Sequence, residues 1–159
     1  MTPKSLHDIL AVCGGLDNVP ETALCEKIIA VTEDSRRVRP GALFVAVRGE
    51  HSDGHDFARA AVAAGAAAIL GGREGISEFC GVPYLYAREV RKAAGYLAHA
   101  LAGNPTQDMT VIGVTGTNGK SSTIFMVQSI LQTAGHPTAK FGTLGYEIAG
   151  EVRPALHTT

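Results

Sequence analysis

Apolar residues recur at Leu6, Ile9, Leu10 and Cys13, the spacing that lines one face of a helix. Ser5 can cap the first turn and Gly14-Gly15 can end the last, so a short amphipathic helix is predicted over Ser5 to Cys13. Lys27 to Thr32 and Ala42 to Val47 are strand-like runs, and the charged segment Glu33 to Gly41, closing on Pro40-Gly41, suits a turn between them. They predict paired strands around a polar loop. Asp56 to Ala64 returns to helical spacing and stops at Gly65, and Ala66 to Leu70 reads as a buried strand. Tyr84 to Ala87 adds a strand and Arg88 to Leu101 a helix. That helix breaks at Gly103-Asn104-Pro105, because proline lacks the N–H a helix needs. The break is the predicted domain boundary, dividing residues 1–104 from 105–159.

Beyond it Thr110 to Thr115 is a β-branched run followed at once by a glycine-rich loop and a helical stretch, Ser121 to Ala134. Gly135-His136-Pro137 closes the helix and Thr138 to Phe141 offers a second strand. Strand, loop, helix and strand make a βαβ unit, the element from which parallel sheets are built. The fold class expected is therefore α/β: a small mixed α/β domain followed by the opening of a parallel-sheet domain.

Bulk properties narrow the function. The 159 residues are 45% hydrophobic, enough to build a core, and the formal net charge of −1 gives no global attraction to nucleic acid or to an acidic membrane. Cys13, Cys25 and Cys80 are odd in number, lie far apart and form no zinc-type pair, which fits a reduced cytoplasmic setting. Lys4, His7 and Asp8 interrupt the first ten residues, so no secretory signal is expected there. The longest apolar tract, Ala60 to Leu70, is far shorter than the ~20 residues of a spanning helix.

The strongest chemical signal is Gly113-Val114-Thr115-Gly116-Thr117-Asn118-Gly119-Lys120-Ser121-Ser122. A triphosphate needs several donors converging on its oxygens, and Gly116 and Gly119 allow backbone N–H groups to turn inward. Helix onset after the loop adds the partial positive charge of an N-terminus. Lys120 can reach the outer phosphates, and the Ser121 hydroxyl can coordinate Mg²⁺. The expected nucleotide contacts are Gly116, Thr117, Asn118, Gly119, Lys120, Ser121 and Ser122, with Lys120 and Ser121 carrying the catalysis. The loop departs from G-x-x-x-x-G-K-[ST], since Val114 stands at its first position and the glycine lies one residue earlier, at Gly113.

Thr115 to Lys120 with Ser121-Ser122 resembles the ATP loop of the Mur ligase family, in which threonines usually replace the two serines. A second block, Asp34 to Val47 continued by Gly49, Asp53 to Phe57 and Ala64 to Ala66, is similar to the UDP-binding domain of that family. A third, Gly142 to Tyr146 with His157-Thr158-Thr159, resembles the MurE branch. The resemblance covers nearly the whole chain and is weakest at Gly71 to Gly81.

It implies an ATP- and Mg²⁺-dependent amide ligase of peptidoglycan precursor synthesis, adding diaminopimelate or lysine to UDP-N-acetylmuramoyl-L-alanyl-D-glutamate through an acyl phosphate. Residues 1–104 would bind the UDP end of that substrate and residues 105–159 would open the ATPase domain. Glu33 and Ser35 would lie against the uridine, Glu50, His51 and Ser52 beside the UDP moiety, and His157, Thr158 and Thr159 at the muramoyl-peptide end. The same residues also suit plainer roles. Asp34 to Gly41 can be a solvated turn capped by Asp34, His51 and His55 can be exposed turn residues, and Thr158-Thr159 a terminus without an ordered role. The family also carries further magnesium ligands, a carbamylated lysine and an amino-acid-binding domain downstream, so this chain is expected to be a monomeric front portion, inactive alone. Two alternatives stay open: a MurF-type ligase acting on the tripeptide nucleotide, and a non-catalytic nucleotide- or UDP-sugar-binding module.

Overall fold

The computed structural model describes residues 3–11, 16–49, 52–148 and 150–154. Two compact units divide the chain, Met1–Met109 and Thr110–Thr159.

In the first unit β1 (Lys4–Ser5) pairs antiparallel with β2 (Lys27–Ile28). Helix α1 (Leu6–Leu10) starts as its sequence suggests, with the Ser5 side chain accepting from the Asp8 N–H at 3.1 Å. The main sheet contains β3 (Ala30–Thr32), β4 (Ala42–Ala46), β5 (Ala66–Gly71), β6 (Glu78–Phe79) and β7 (Val82–Tyr86) in the order β3-β4-β5-β7-β6. Strands β3, β4, β5 and β7 run parallel and only the edge strand β6 is antiparallel. The two runs expected to pair around a polar loop are β3 and β4. They are parallel, because the intervening segment crosses over with a 3-10 turn at Ser35–Arg37 instead of folding back as a hairpin.

A parallel sheet needs cover on both faces, and all five residues of β4 are accordingly buried. Helix α3 (Val90–Leu101) packs one face, its Ala93, Leu97 and Leu101 meeting Leu43, Val45, Leu70 and Leu85. On the other face Ala58 and Ala61 of α2 (Ala58–Ala63) join Phe44, Ile69 and Tyr84. Ala42 pairs with Ala66 but Leu43 with Ala68, so Ala67 is an extra residue on β5. That slip puts Ala66 and Ile69 on one face and Ala68 and Leu70 on the other. Cys80 and Gly81 link β6 to β7, both with positive φ, +53° and +84°, as a two-residue type I′ hairpin requires.

The second unit contains α4 (Lys120–Thr133), β8 (Ala139–Gly142), β9 (Gly145–Ile148) and β10 (Glu151–Arg153). Here the structure corrects the sequence reading. Thr110 to Thr115 is in no strand, and β8 joins an antiparallel meander, β10-β9-β8, instead of a parallel partner. The reason is hydrogen bonding: a strand exists only against a neighbour, and β8 gains the adjacent β9 across Thr143-Leu144. Among the described residues of this second unit no βαβ unit closes. Much apolar surface stays in water, including Val111, Ile112, Phe125, Met126, Ile130 and Leu144. Among the described residues no helix is long and apolar enough to cross a membrane.

Candidate functional site

Residues Gly116 to Gly119 form a bent loop that runs into the first turn of α4. Gly116 has φ +148° and Gly119 φ +76°, a region costly to residues with a Cβ. No side chain caps α4. The N–H groups of Gly119, Lys120, Ser121 and Ser122 have no acceptor among the described residues, and the first bond of the turn is Thr123 N–H to Gly119 O at 2.9 Å. Lys120 folds back over the loop, its Nζ 2.5 Å from Gly116 O and 3.5 Å from Thr117 O. The ammonium thus braces the curve of the loop while the helix amides stay free.

That donor set fits an oligophosphate: free amides at a helix start, an adjacent cation and exposed hydroxyls at Ser121 and Ser122. The hydroxyl of Ser121, without a partner among the described residues, suits an oxygen-seeking cation such as Mg²⁺.

Ser121 also lines a cavity of about 220 Å³ with Phe125, Phe141, Leu144, Tyr146 and Val152. In its wall Lys140 pairs with Glu147 at 2.7 Å and stands 3.5 Å over the ring of Phe125. The Lys140 ammonium holds the Glu147 carboxyl below its ordinary value.

A second cluster lies on the first unit. Ser35 follows β3, Ser52 follows β4, Arg73 follows β5 and Arg88 follows β7. Since these strands are parallel, all four residues lie at the carboxyl edge of one sheet, where open α/β sheets bind their ligands. Asp34 accepts from the Arg36 N–H at 3.0 Å and from its guanidinium at 2.9 Å, so Asp34 caps this turn. The Arg36 guanidinium draws its pKa down to about 2. Ser35 keeps its hydroxyl without a partner among the described residues, and Glu33 is exposed. Arg37 and Arg48, near the same edge, have no ion pair among the described residues. The edge therefore offers hydroxyls together with two exposed guanidinium groups that lie outside any ion pair among the described residues.

The segment after β4 is fastened at both ends. The backbones of Arg48 and Asp53 form an isolated antiparallel bridge, Gly49 N–H donates to Ser52 O at 2.9 Å, and Gly54 N–H donates to Val47 O at 2.8 Å. Asp53 then accepts from the His55 N–H at 2.9 Å, contacts His55 Nδ1 at 2.7 Å and accepts from Arg73 at 3.1 Å. These bonds, led by the His55 backbone N–H, hold its carboxyl well below the usual carboxylate range. On its other nitrogen His55 meets the Tyr84 hydroxyl at 2.7 Å, and that hydroxyl accepts from the Arg73 N–H at 3.0 Å. Burial pushes the Tyr84 phenol up.

Of the residues singled out in the sequence, the structure brings Lys120 onto the loop Gly116, Thr117, Asn118 and Gly119, with Ser121 and Ser122 on the next turn. Glu33, Ser35 and Ser52 sit at one sheet edge. Glu50, His51, His157, Thr158 and Thr159 lie outside the described residues. The reading of His55 as an exposed turn residue is corrected: it is only 8% exposed, because both ring nitrogens have partners that reward burial. Tyr84 and Arg73 gave no signal in the sequence, being 29 and 18 positions from His55.

Known proteins resemble this chain along most of its length. A family profile described as "Mur ligase family, catalytic domain" matches residues 27–104. A UDP-N-acetylmuramoyl-L-alanyl-D-glutamate--2,6-diaminopimelate ligase of Bacillus licheniformis is 42% identical over 146 residues, 91% of this chain and 29% of that protein. A UDP-N-acetylmuramyl-tripeptide synthetase of Deinococcus radiodurans is 42% identical over 136 residues, 84% of this chain and 28% of its own length. In fold, the chain resembles a solved UDP-N-acetylmuramoyl-L-alanyl-D-glutamate--2,6-diaminopimelate ligase with TM-score 0.70 and 22% identity, over 96% of this chain and 30% of that one. The chain thus spans under a third of the length of these relatives. By this likeness along most of its length, the chain belongs to the Mur ligase family.

Proposed function

We propose that this chain supplies the substrate-nucleotide and ATP-gripping parts of an ATP-dependent ligase that adds an amino acid to UDP-N-acetylmuramoyl-L-alanyl-D-glutamate. The observation that carries the reading is Lys120, hydrogen-bonded to the Gly116 and Thr117 carbonyls beside the free amides that open α4. The 42% identity to ligases of that name supports the choice of substrate.

In this reading the γ-phosphoryl of ATP passes to the substrate carboxylate, releasing ADP, and the incoming amine displaces phosphate to form the amide. Negative charge builds in both steps. The amides of Gly116 to Ser122 bind and orient the phosphate chain, and Lys120 turns from the loop carbonyls toward the outer phosphates to offset developing charge. Ser121 would hold Mg²⁺, which when bound neutralises phosphate charge. At the sheet edge Ser35 and Ser52 would hydrogen-bond the uridine end, and Arg37 and Arg48 would face the diphosphate.

The test is titration of the 159-residue chain with ATP·Mg²⁺ and with UDP-N-acetylmuramoyl-L-alanyl-D-glutamate, alongside Lys120→Ala. ATP affinity should fall at least tenfold in the variant while the UDP substrate binds as before. Equal ATP affinity in the two proteins would remove the loop from the reading, and preference for the tripeptide nucleotide would move the assignment to the MurF-type reaction.

A further inference from the structure

The contacts around His55 form a closed circuit of hydrogen bonds. The Arg73 N–H can only donate, so the Tyr84 oxygen accepts there and still has its proton to offer His55 Nε2. Asp53 is an ionised carboxylate that can only accept, so the His55 nitrogen facing it, Nδ1, carries a proton. The Arg73 guanidinium closes the ring on the second oxygen of the same carboxylate. The circuit begins and ends on one residue, and every donor in it has an acceptor.

Room for the circuit comes from Gly71. A Cβ at that position would overlap the Tyr84 hydroxyl and stand 2.6 Å from His55 Nε2. Tyr84 belongs to β7, Arg73 follows β5 and Asp53 ends the segment that follows β4. The circuit therefore ties Asp53 and His55 to β7 and to Arg73 beyond β5, independently of the Gly49-Ser52 and Gly54-Val47 backbone bonds. Those two bonds join Gly49 to Ser52 and Gly54 to Val47, and the circuit holds Asp53 at the sheet edge.

We infer that Asp53, His55, Tyr84 and Arg73 are positioning residues for the UDP end of the substrate: they hold Asp53, and with it the adjoining Ser52 and the bridged Arg48, where Ser52 and Arg48 meet the nucleotide. The inference rests on the substrate reading above. None of the four need touch the uridine for it to hold.

Tyr84→Phe tests it, since it deletes one oxygen and keeps the ring in the core. The whole chain is titrated with UDP, and ¹⁵N spectra report which nitrogen of His55 bears the proton. Amide exchange is followed at Gly49 and Gly54, with Leu43 and Val45 of the buried strand as the folding control. Expected are UDP affinity lowered roughly tenfold, the size of one lost buried hydrogen bond, an altered His55 Nε2 signal, faster exchange at the two glycines and unchanged exchange in the control strand. If the unaltered chain binds UDP and Tyr84→Phe binds it equally well, the positioning role is overturned while the substrate reading stands. If the unaltered chain does not bind UDP, the substrate reading fails and the inference falls with it. Faster exchange at Leu43 and Val45 as well would mark general loosening of the sheet and count against a local role. His55→Phe, which removes both nitrogens from the circuit, should reproduce the Tyr84→Phe pattern; normal UDP affinity in this second variant also overturns the inference.

Discussion

Gly71 and Tyr84 leave no space between them for even one methyl group: a Cβ on residue 71 would collide with the tyrosine hydroxyl. Gly71→Ala should therefore destabilise the first unit by about 1–3 kcal/mol, the usual cost of overpacking a core. Gly95, exposed in α3 with nothing within 4 Å of its would-be Cβ, is the contrast. Gly95→Ala should stabilise by roughly 0.5–1 kcal/mol through helix propensity alone. Urea unfolding of the two variants checks both signs.

Gly119 is constrained by backbone angle and not by room. Its φ of +76° is strained for alanine, yet a Cβ would meet nothing within 4 Å. Gly119→Ala should cost about 1–2 kcal/mol of loop conformation and weaken ATP·Mg²⁺ binding roughly 5- to 30-fold. Gly113, with open space and no positive φ, should accept alanine without loss of ATP affinity. Calorimetric titration of the pair separates conformation from contact.

The Lys140–Glu147 pair makes the second unit sensitive to acid. Lys140 lowers the Glu147 pKa below its ordinary 4.5, so the unfolded chain takes up a proton first as pH falls. The contribution is complete above about pH 4.5 and is lost as pH drops through the lower, folded value. The Phe125 ring signals, shifted by the ammonium 3.5 Å above it, should change over that range. Glu147→Gln should abolish this acid step, and NMR of Phe125 between neutral pH and about pH 3 would show whether it does.

Cys80 adopts φ +53° in the hairpin between β6 and β7, where residues other than glycine and asparagine are disfavoured. Cys80→Asn should stabilise the hairpin by about 0.5–1 kcal/mol while removing an exposed thiol. A higher denaturant midpoint with unchanged slope is the expected result.

What could be read from the sequence was whatever depends on neighbours in the chain. The helical spacing from Val90 to Leu101, the apolar run of β4 and the Gly116 to Ser122 loop all have local causes, and each appears in the structure. The β6–β7 hairpin was not legible, because Cys80 is an unusual residue for a left-handed turn position and hid the signal that Gly81 alone could not give. The Arg73–Tyr84–His55–Asp53 circuit was not legible either: only Asp53-Gly54-His55 is local, and the rest depends on which strands stand side by side. Thr110 to Thr115 failed in the opposite way. Its β-branched residues are the right type, but propensity supplies no hydrogen-bonding neighbour, and Val111 stays 69% exposed.

The oily side chains left wet around α4 and the meander, Ile112, Phe125, Met126 and Ile130 among them, govern how this polypeptide behaves in a tube. Hydrocarbon of that extent is shed from water by adhesion. The protein should clump as its concentration rises, precipitate early in sulfate, and light up dyes that fluoresce on greasy surfaces, and all three tendencies should fade together when Ile130→Lys and Met126→Lys are introduced.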